Sequence, residues 1–492
     1  MSFDAQERLH RAHGHTLQEI FALRTGSLPR VPDAVVWPEC HEHVVRIVAL
    51  AAQHNVCLIP YGGGTSVSQA LLCPTGEKRM IVSLDMKAMN RVLWIDHDNM
   101  TMKVEAGAVG KQLEEQLNKK GYRLGHEPDS YEFSSVGGWV ATRASGMKKN
   151  VYGNIEDLLV AVRMVTPTGT VEKSVEVPRI SSGPDVFQMV LGSEGVLGVI
   201  TECVFKVKPM PATQLYGSIV FPDFDSGVAC MREINRQNCA PASIRLVDNE
   251  QFKFGQSLKP EGESSWWDTM AEAAKKFYVT RIKGFDVARM VAATLVLEGD
   301  AAACERQLAQ INAIAARFGG LAAGAENGIR GYFLTYVIAY IRDFGLQYSF
   351  IAESFETSVP WSRITQLCTN VKRVITDSAR VHGVVRAPFV SCRVTQLYDA
   401  GVCVYFYFGF LTTGLADPVA VFSQVEEDAR DEIVACGGSI SHHHGVGKLR
   451  QKWFKDTVSP TGVRMIAGLK RAVDPNNIMG AGNLHDFANS KL

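Results

Sequence analysis

Pro60-Tyr61-Gly62-Gly63-Gly64-Thr65-Ser66 follows the apolar run Val56-Cys57-Leu58-Ile59, which reads as a buried strand. Three glycines therefore arrive where a strand ends and the backbone must turn sharply. Without Cβ atoms their amide N–H groups stay uncovered and can converge on a pyrophosphate, with Thr65 and Ser66 adding hydroxyl donors. A plain tight turn would look the same, and the stretch fits neither G-x-G-x-x-G nor a phosphate loop ending in Gly-Lys-Ser/Thr.

Three more small-residue segments lie downstream: Asp129-Ser130 with Ser134-Ser135-Val136-Gly137-Gly138, then Thr142-Arg143-Ala144-Ser145-Gly146, then Gly192-Ser193-Glu194-Gly195-Val196-Leu197-Gly198-Val199-Ile200-Thr201. An extended ligand with phosphates and a flat ring needs several such close backbone approaches, and four unrelated turns are a poorer account. The order of the segments resembles the flavin-binding domain of the vanillyl-alcohol-oxidase type. That resemblance implies FAD lying along loops between two small α/β subdomains.

The chain of 492 residues exceeds what one core usually supports, so two domains with appendages are expected. Equal numbers of acidic and basic residues remove any global electrostatic case for nucleic acid or an anionic membrane. No apolar stretch nears the roughly 18 residues of a membrane span, and the charged, His-rich start is unlike a secretory signal. Eleven scattered cysteines without a Cys-x-x-Cys argue against a disulfide framework and for a reducing compartment. Ser490-Lys491-Leu492 has the form of the peroxisomal address read by an import receptor, so the expected location is the peroxisome.

Residues 1–27 read as a helical lead-in, and 28–211 as the FAD-binding domain, closed by the break Pro209-Met210-Pro211. Within it a helix is expected over 41–54, strands over 80–84, 102–105 and 203–207, a helix over 109–120 stopped by Gly121, and a hairpin at Thr166-Pro167-Thr168-Gly169. Residues 212–439 alternate strands with helices at 227–237 and 301–318, which suggests a substrate cap whose sheet carries helices on one side. Residues 440–492 form a C-terminal segment returning to the FAD domain and active site. The expected class is α+β: a two-subdomain FAD-binding domain plus an α/β cap with a mainly antiparallel sheet.

Several residues carry chemistry. His442-His443-His444 sits between glycines; neighbouring side chains of an extended segment point to opposite faces, so a shared metal ion is not expected. Acid/base work and a plain loop role both fit these histidines. Arg245, within Ile244-Arg245-Leu246-Val247, and Arg342, after Tyr340-Ile341, are guanidinium groups in apolar surroundings that need a buried carboxylate or a bound phosphate. In Val402-Cys403-Val404-Tyr405-Phe406-Tyr407-Phe408, period-two alternation puts the Tyr405 and Tyr407 hydroxyls on one face.

Phe277-Tyr278-Val279-Thr280, Ala240-Pro241-Ala242-Ser243-Ile244-Arg245-Leu246, Arg330-Gly331-Tyr332, Cys392-Arg393-Val394-Thr395-Gln396, Thr142-Arg143-Ala144-Ser145-Gly146-Met147-Lys148-Lys149-Asn150 and His442-His443-His444-Gly445-Val446-Gly447-Lys448 together resemble the alkyldihydroxyacetonephosphate synthase family of peroxisomal ether-lipid flavoenzymes. The resemblance implies exchange of the acyl group of acyl-dihydroxyacetonephosphate for a long-chain fatty alcohol, with flavin N5 as a covalent participant and no net redox change. It assigns the proton donor/acceptor to Tyr405, the substrate phosphate to Arg342, and further catalytic roles to Arg245, His442, His443 and His444. FAD contacts fall at Pro60, Tyr61, Gly62, Gly63, Gly64, Thr65 and Ser66, at Asp129, Ser130, Ser134 and Ser135, at Thr142, Arg143, Ala144 and Ser145, and over Glu194, Gly195, Val196, Leu197, Gly198, Val199 and Ile200. The cofactor is expected to be non-covalent, because the first loop has no His or Cys to attach the ring. An apolar tunnel for alkyl chains is expected near Trp266-Trp267, Phe333, Phe344 and Phe406, with peripheral contact to the peroxisomal membrane and a homodimer. The alternative is an FAD-dependent D-2-hydroxy-acid dehydrogenase, whose flavin loops and His-Gly-x-Gly ending are similar.

Overall fold

The computed structural model describes residues 1–487 other than 27, 174, 176, 178 and 259–276. Trp266-Trp267 and Ser490-Lys491-Leu492 lie outside the described residues. The chain divides into two compact units, Met1–Met210 with Ile440–Leu492, and Pro211–Ser439.

The first unit contains two layers of sheet and helix. A parallel sheet runs in the order Ala34–Val36, Ile81–Asp85, Cys57–Tyr61. The crossover helix His41–His54 buries Val44, Val48 and Ala51 at helical spacing and ends where Asn55 takes a left-handed conformation, φ 53°. An antiparallel sheet runs Val92–Asp96, Thr101–Glu105, Val199–Lys206, Leu159–Thr166, Gly169–Val171, the last pair being a hairpin. The helix expected over 109–120 occupies Gly110–Asn118. Gly121, at φ 81°, closes the turn after it by donating its N–H to the Asn118 carbonyl.

Two segments distant in sequence brace the glycine-loop strand. Leu58 N–H donates to the Ile478 carbonyl at 2.7 Å and Leu58 carbonyl accepts from Gly480 N–H at 3.0 Å, so the C-terminal segment adds to the edge of the parallel sheet. The helix Leu17–Thr25 is fixed by a capping box between Thr16 and Glu19. Just before it, His15 N–H donates to the Ser66 carbonyl at 2.6 Å.

The second unit is built on a seven-stranded, wholly antiparallel sheet: Leu321–Ala322, Thr213–Phe221, Val291–Gly299, Ser243–Val247, Phe389–Leu397, Gly401–Leu411, Phe350–Pro360. One face carries Phe408, stacked on Phe422 of the helix Pro418–Ala435 at 4.2 Å, and Leu246, packed on Gly227 of the helix Phe224–Arg236. Helices on one side only were expected, yet the helix Ala325–Gln347 covers the opposite face. Gly331 permits this approach, since a Cβ there would lie 2.5 Å from the Thr294 methyl group.

Candidate functional site

The first unit brings all four small-residue loops together. A Cβ on Gly62 would fall 2.3 Å from Ser135 Oγ, one on Gly63 2.0 Å from the Phe133 carbonyl, and one on Gly64, at φ 72°, 2.2 Å from Tyr61 Oη. The first loop is therefore pressed backbone to backbone on the second, which only glycine allows. A Cβ on Gly195 would come 3.2 Å from Pro60 Cδ, so the fourth loop meets the first. Among the described residues, the N–H groups of Gly63, Gly64 and Thr65 donate no hydrogen bond within the chain. Open amides on a cradle of this tightness suit the pyrophosphate of a dinucleotide.

Side chains in these loops do two kinds of work. Ser134 Oγ accepts from Trp139 Nε1 at 2.8 Å and Ser135 Oγ caps the helix Val136–Thr142 by accepting from Gly138 N–H. Ser145 Oγ donates to Asn154 Oδ1, and Arg143 faces Glu156 at 3.4 Å. The carboxylate of Glu194, a residue expected to contact the flavin, accepts from Val446 N–H at 2.6 Å and Gly447 N–H at 2.7 Å. Its carbonyl accepts from Asn483 Nδ2, which also donates to Ala70. Burial pushes the Glu194 carboxyl up, and those two amides oppose the shift.

Lys448 and Lys470 complete this buried frame. Lys448 Nζ reaches the carbonyls of Gln69 and Ala70 and Asn483 Oδ1, and burial pulls its ammonium down to about 8. Lys470 Nζ reaches the carbonyls of Val196 and Met479 and the Asp474 carboxylate. Neither lysine stood out in the sequence, because each also needs an acceptor hundreds of residues away, Gln69 and Ala70 for Lys448 and Val196 for Lys470.

The histidines do not alternate across two faces as an extended segment would. Residues 442–444 form bends, and His442 Nδ1 lies 2.7 Å from His443 Nδ1, with successive ring centroids 5.0 and 4.6 Å apart. One of the two nitrogens must carry a proton for the other to accept, an arrangement suited to holding or passing one.

In the second unit, strand register sets out a polar row. Glu356, Tyr405 and Arg393 are direct cross-strand neighbours, and Arg393 in turn lies opposite Val247, so Arg245 shares its face. The Arg393 guanidinium lies over the Tyr405 ring at 5.1 Å and the Tyr407 ring at 5.0 Å, and that of Arg245 over Tyr332 at 5.6 Å. Tyr405, Arg245, Arg393 and Glu356 are all buried. Arg342 Nη1 pairs with Glu353 Oε2 at 2.7 Å and its Nε faces Asp343 at 3.5 Å; these carboxylates raise its pKa against the lowering by burial. Sequence reasoning missed Arg393 as a member of this row. Its setting in the apolar strand Phe389–Leu397 is the same signal that marked Arg245.

These features define an FAD-binding flavoprotein of the vanillyl-alcohol-oxidase type with an antiparallel cap. Residues 32–174 match the FAD binding domain family, and 210–484 match the family of FAD linked oxidases, C-terminal domain. The solved structure of p-cresol methylhydroxylase with substrate bound superposes with TM-score 0.74 over 99% of this chain and 94% of that one, at 15% identity, which speaks for the fold. The chain belongs to the alkyldihydroxyacetonephosphate synthase family. It is 50% identical over 489 residues to an alkyldihydroxyacetonephosphate synthase of Caenorhabditis elegans, covering 99% of this chain and 82% of that protein. A solved alkyldihydroxyacetonephosphate synthase structure matches at 31% identity and TM-score 0.81, over 97% of this chain and 81% of that one.

Proposed function

We propose that the chain exchanges the acyl group of acyl-dihydroxyacetonephosphate for a long-chain fatty alcohol, forming the ether bond of ether lipids. The 50% identity to the C. elegans synthase over nearly the whole chain is the observation that carries this reading. In the exchange, the bond from C1 to the carboxylate oxygen breaks, a bond from C1 to the alcohol oxygen forms, and the alcohol proton leaves with the fatty acid. Non-covalently bound FAD supplies the covalent chemistry at N5 without net redox change. Tyr405 and a histidine of 442–444 move the protons at C1 and at the alcohol oxygen. Arg342 holds the substrate phosphate as a fixed cation, and Arg245 and Arg393 keep positive charge on the Tyr405 face.

Anaerobic incubation with acyl-dihydroxyacetonephosphate and hexadecanol should yield ether product and fatty acid, with FAD oxidised at the end. Bleaching by a D-2-hydroxy acid without ether product would sink the reading.

The same reading places the enzyme in the peroxisome, carried by the import receptor through Ser490-Lys491-Leu492, as a homodimer. Removal of Leu492 from a fluorescent fusion should leave it cytosolic, and light scattering reports the dimer. Among the described residues no helix is long and apolar enough to cross a membrane. Phe333, Tyr340 and Phe344 are more than half exposed and recur on one face of the helix Ala325–Gln347, as suits a helix lying in a lipid headgroup region. Vesicle co-sedimentation that is unchanged on substituting Phe333 and Phe344 with Glu would remove that contact.

A further inference from the structure

His442, His443 and His444 end at Gly445, and the segment after them is pinned to the chain that leaves the glycine loop. Ser68, two residues past Ser66, accepts through its carbonyl from Lys448 N–H at 3.0 Å and from Leu449 N–H at 3.2 Å. Gly447, at φ 52°, permits this approach, since a Cβ there would fall 2.0 Å from the Ser68 carbonyl oxygen.

Arg450 closes the connection. Its side chain is buried, and Nη1 donates to the Gly445 carbonyl at 2.9 Å while Nη2 donates to the Val67 carbonyl at 3.1 Å. One planar fork therefore fixes the spacing between the residue that follows the histidines and the residue that follows Ser66. The Arg450 charge also favours the ionised form of Glu194, whose carboxylate holds Val446 and Gly447. Burying a guanidinium is costly, and an apolar side chain would fill the space better if packing were its whole task. At its other end the glycine loop presents the open amides of Gly63, Gly64 and Thr65, so an anion that fixes those amides also fixes Val67, and through Val67 the fork.

We propose that Arg450 is a positioning residue that ties the histidine loop to the glycine loop, so that FAD binding sets where His442, His443 and His444 stand. The coupling is reciprocal: a held histidine loop tightens FAD binding by the same factor. The inference rests on FAD occupying the glycine loop and on the histidines moving protons. Its loop-to-loop part is read without turnover, so its failure stays separate from a failure of the ether-forming reading.

The test compares full-length apoprotein and holoenzyme by backbone amide exchange. In the wild type, FAD should slow exchange at residues 445–449 as well as at 63–65. Arg450→Met keeps the length of the stem and removes the fork; FAD should still protect 63–65 there but no longer 445–449. FAD binding should weaken roughly 10-fold or more and kcat for ether formation should fall at least as far. The KM for acyl-dihydroxyacetonephosphate should change little, because Arg342, proposed to hold its phosphate, belongs to the other unit. Arg450→Lys, which keeps the charge and one donor group, should recover part of each loss. Equal protection of 445–449 by FAD in Arg450→Met and wild type would overturn the proposal, and so would wild-type kcat in that variant. Should Arg450→Met fail to fold, the wild type decides: exchange at 445–449 that is indifferent to FAD sinks it.

Discussion

Glu194 and Gly447 are joined by a 2.7 Å hydrogen bond across 253 residues of sequence, the carboxylate accepting from the backbone N–H. With the companion bond to Val446, it locks the histidine loop onto the fourth flavin loop. We expect Glu194→Gln to turn an amide NH₂ toward one of these N–H donors, costing about 1.5–3 kcal/mol. Urea unfolding should show that loss, with faster amide exchange at Val446 and Gly447. Unchanged stability and exchange would make the pair incidental.

Acid stability should report His126. Burial lowers its folded pKa to about 3 from an ordinary 6.5, so between those values the unfolded chain binds a proton that the folded chain does not. The contribution is complete above pH 6.5 and is lost as pH falls toward 3, with a slope approaching about 1.4 kcal/mol per pH unit. Apoprotein carrying His126→Phe should lose this part of the acid limb, and an identical limb in both proteins would contradict the assignment.

Arg342→Lys should impair use of acyl-dihydroxyacetonephosphate more than FAD binding. The compact ammonium cannot serve Glu353 and a phosphate as a planar fork can. Loss of one charge-assisted bond, about 1.5–3 kcal/mol, corresponds to roughly 10- to 150-fold in kcat/KM. Wild-type kinetics would take Arg342 out of the phosphate site.

Tyr405→Phe deletes one oxygen and leaves the ring against Arg393, so fold and flavin content should persist. If its hydroxyl moves a proton, turnover should fall about 10²–10⁴-fold. Ether formation within a few-fold of wild type would assign the proton to another group.

Composition and local pattern carried much of the fold. Glycine density at the end of a strand, and the 3.6-residue spacing of Val44, Val48 and Ala51, are properties of a short window, so a turn with open amides and an amphipathic helix were legible there, while FAD binding and the family were legible through the resemblance carried by motifs spread along the chain. The cap was less so. The helix Ala325–Gln347 is apolar around much of its circumference, which hides the face it buries, and its placement opposite the other helices depends on Gly331 meeting Thr294.

By itself the sequence determined which residues have the chemistry to act: open glycine loops, arginines in apolar strands, a tyrosine on a polar face and three adjacent histidines. Only the tertiary structure decided what each one faces. Arg393 meets Tyr405 through the register of two strands, Arg342 meets Glu353 through the end of a helix, the Glu194 carboxylate meets the histidine loop, and His126 is enclosed between two loops with neither nitrogen hydrogen-bonded to a described residue. The reason is physical: a side chain's type is written at one position, whereas its charge state and hydrogen-bond partners are set by burial and by neighbours that the folded backbone brings from far along the chain.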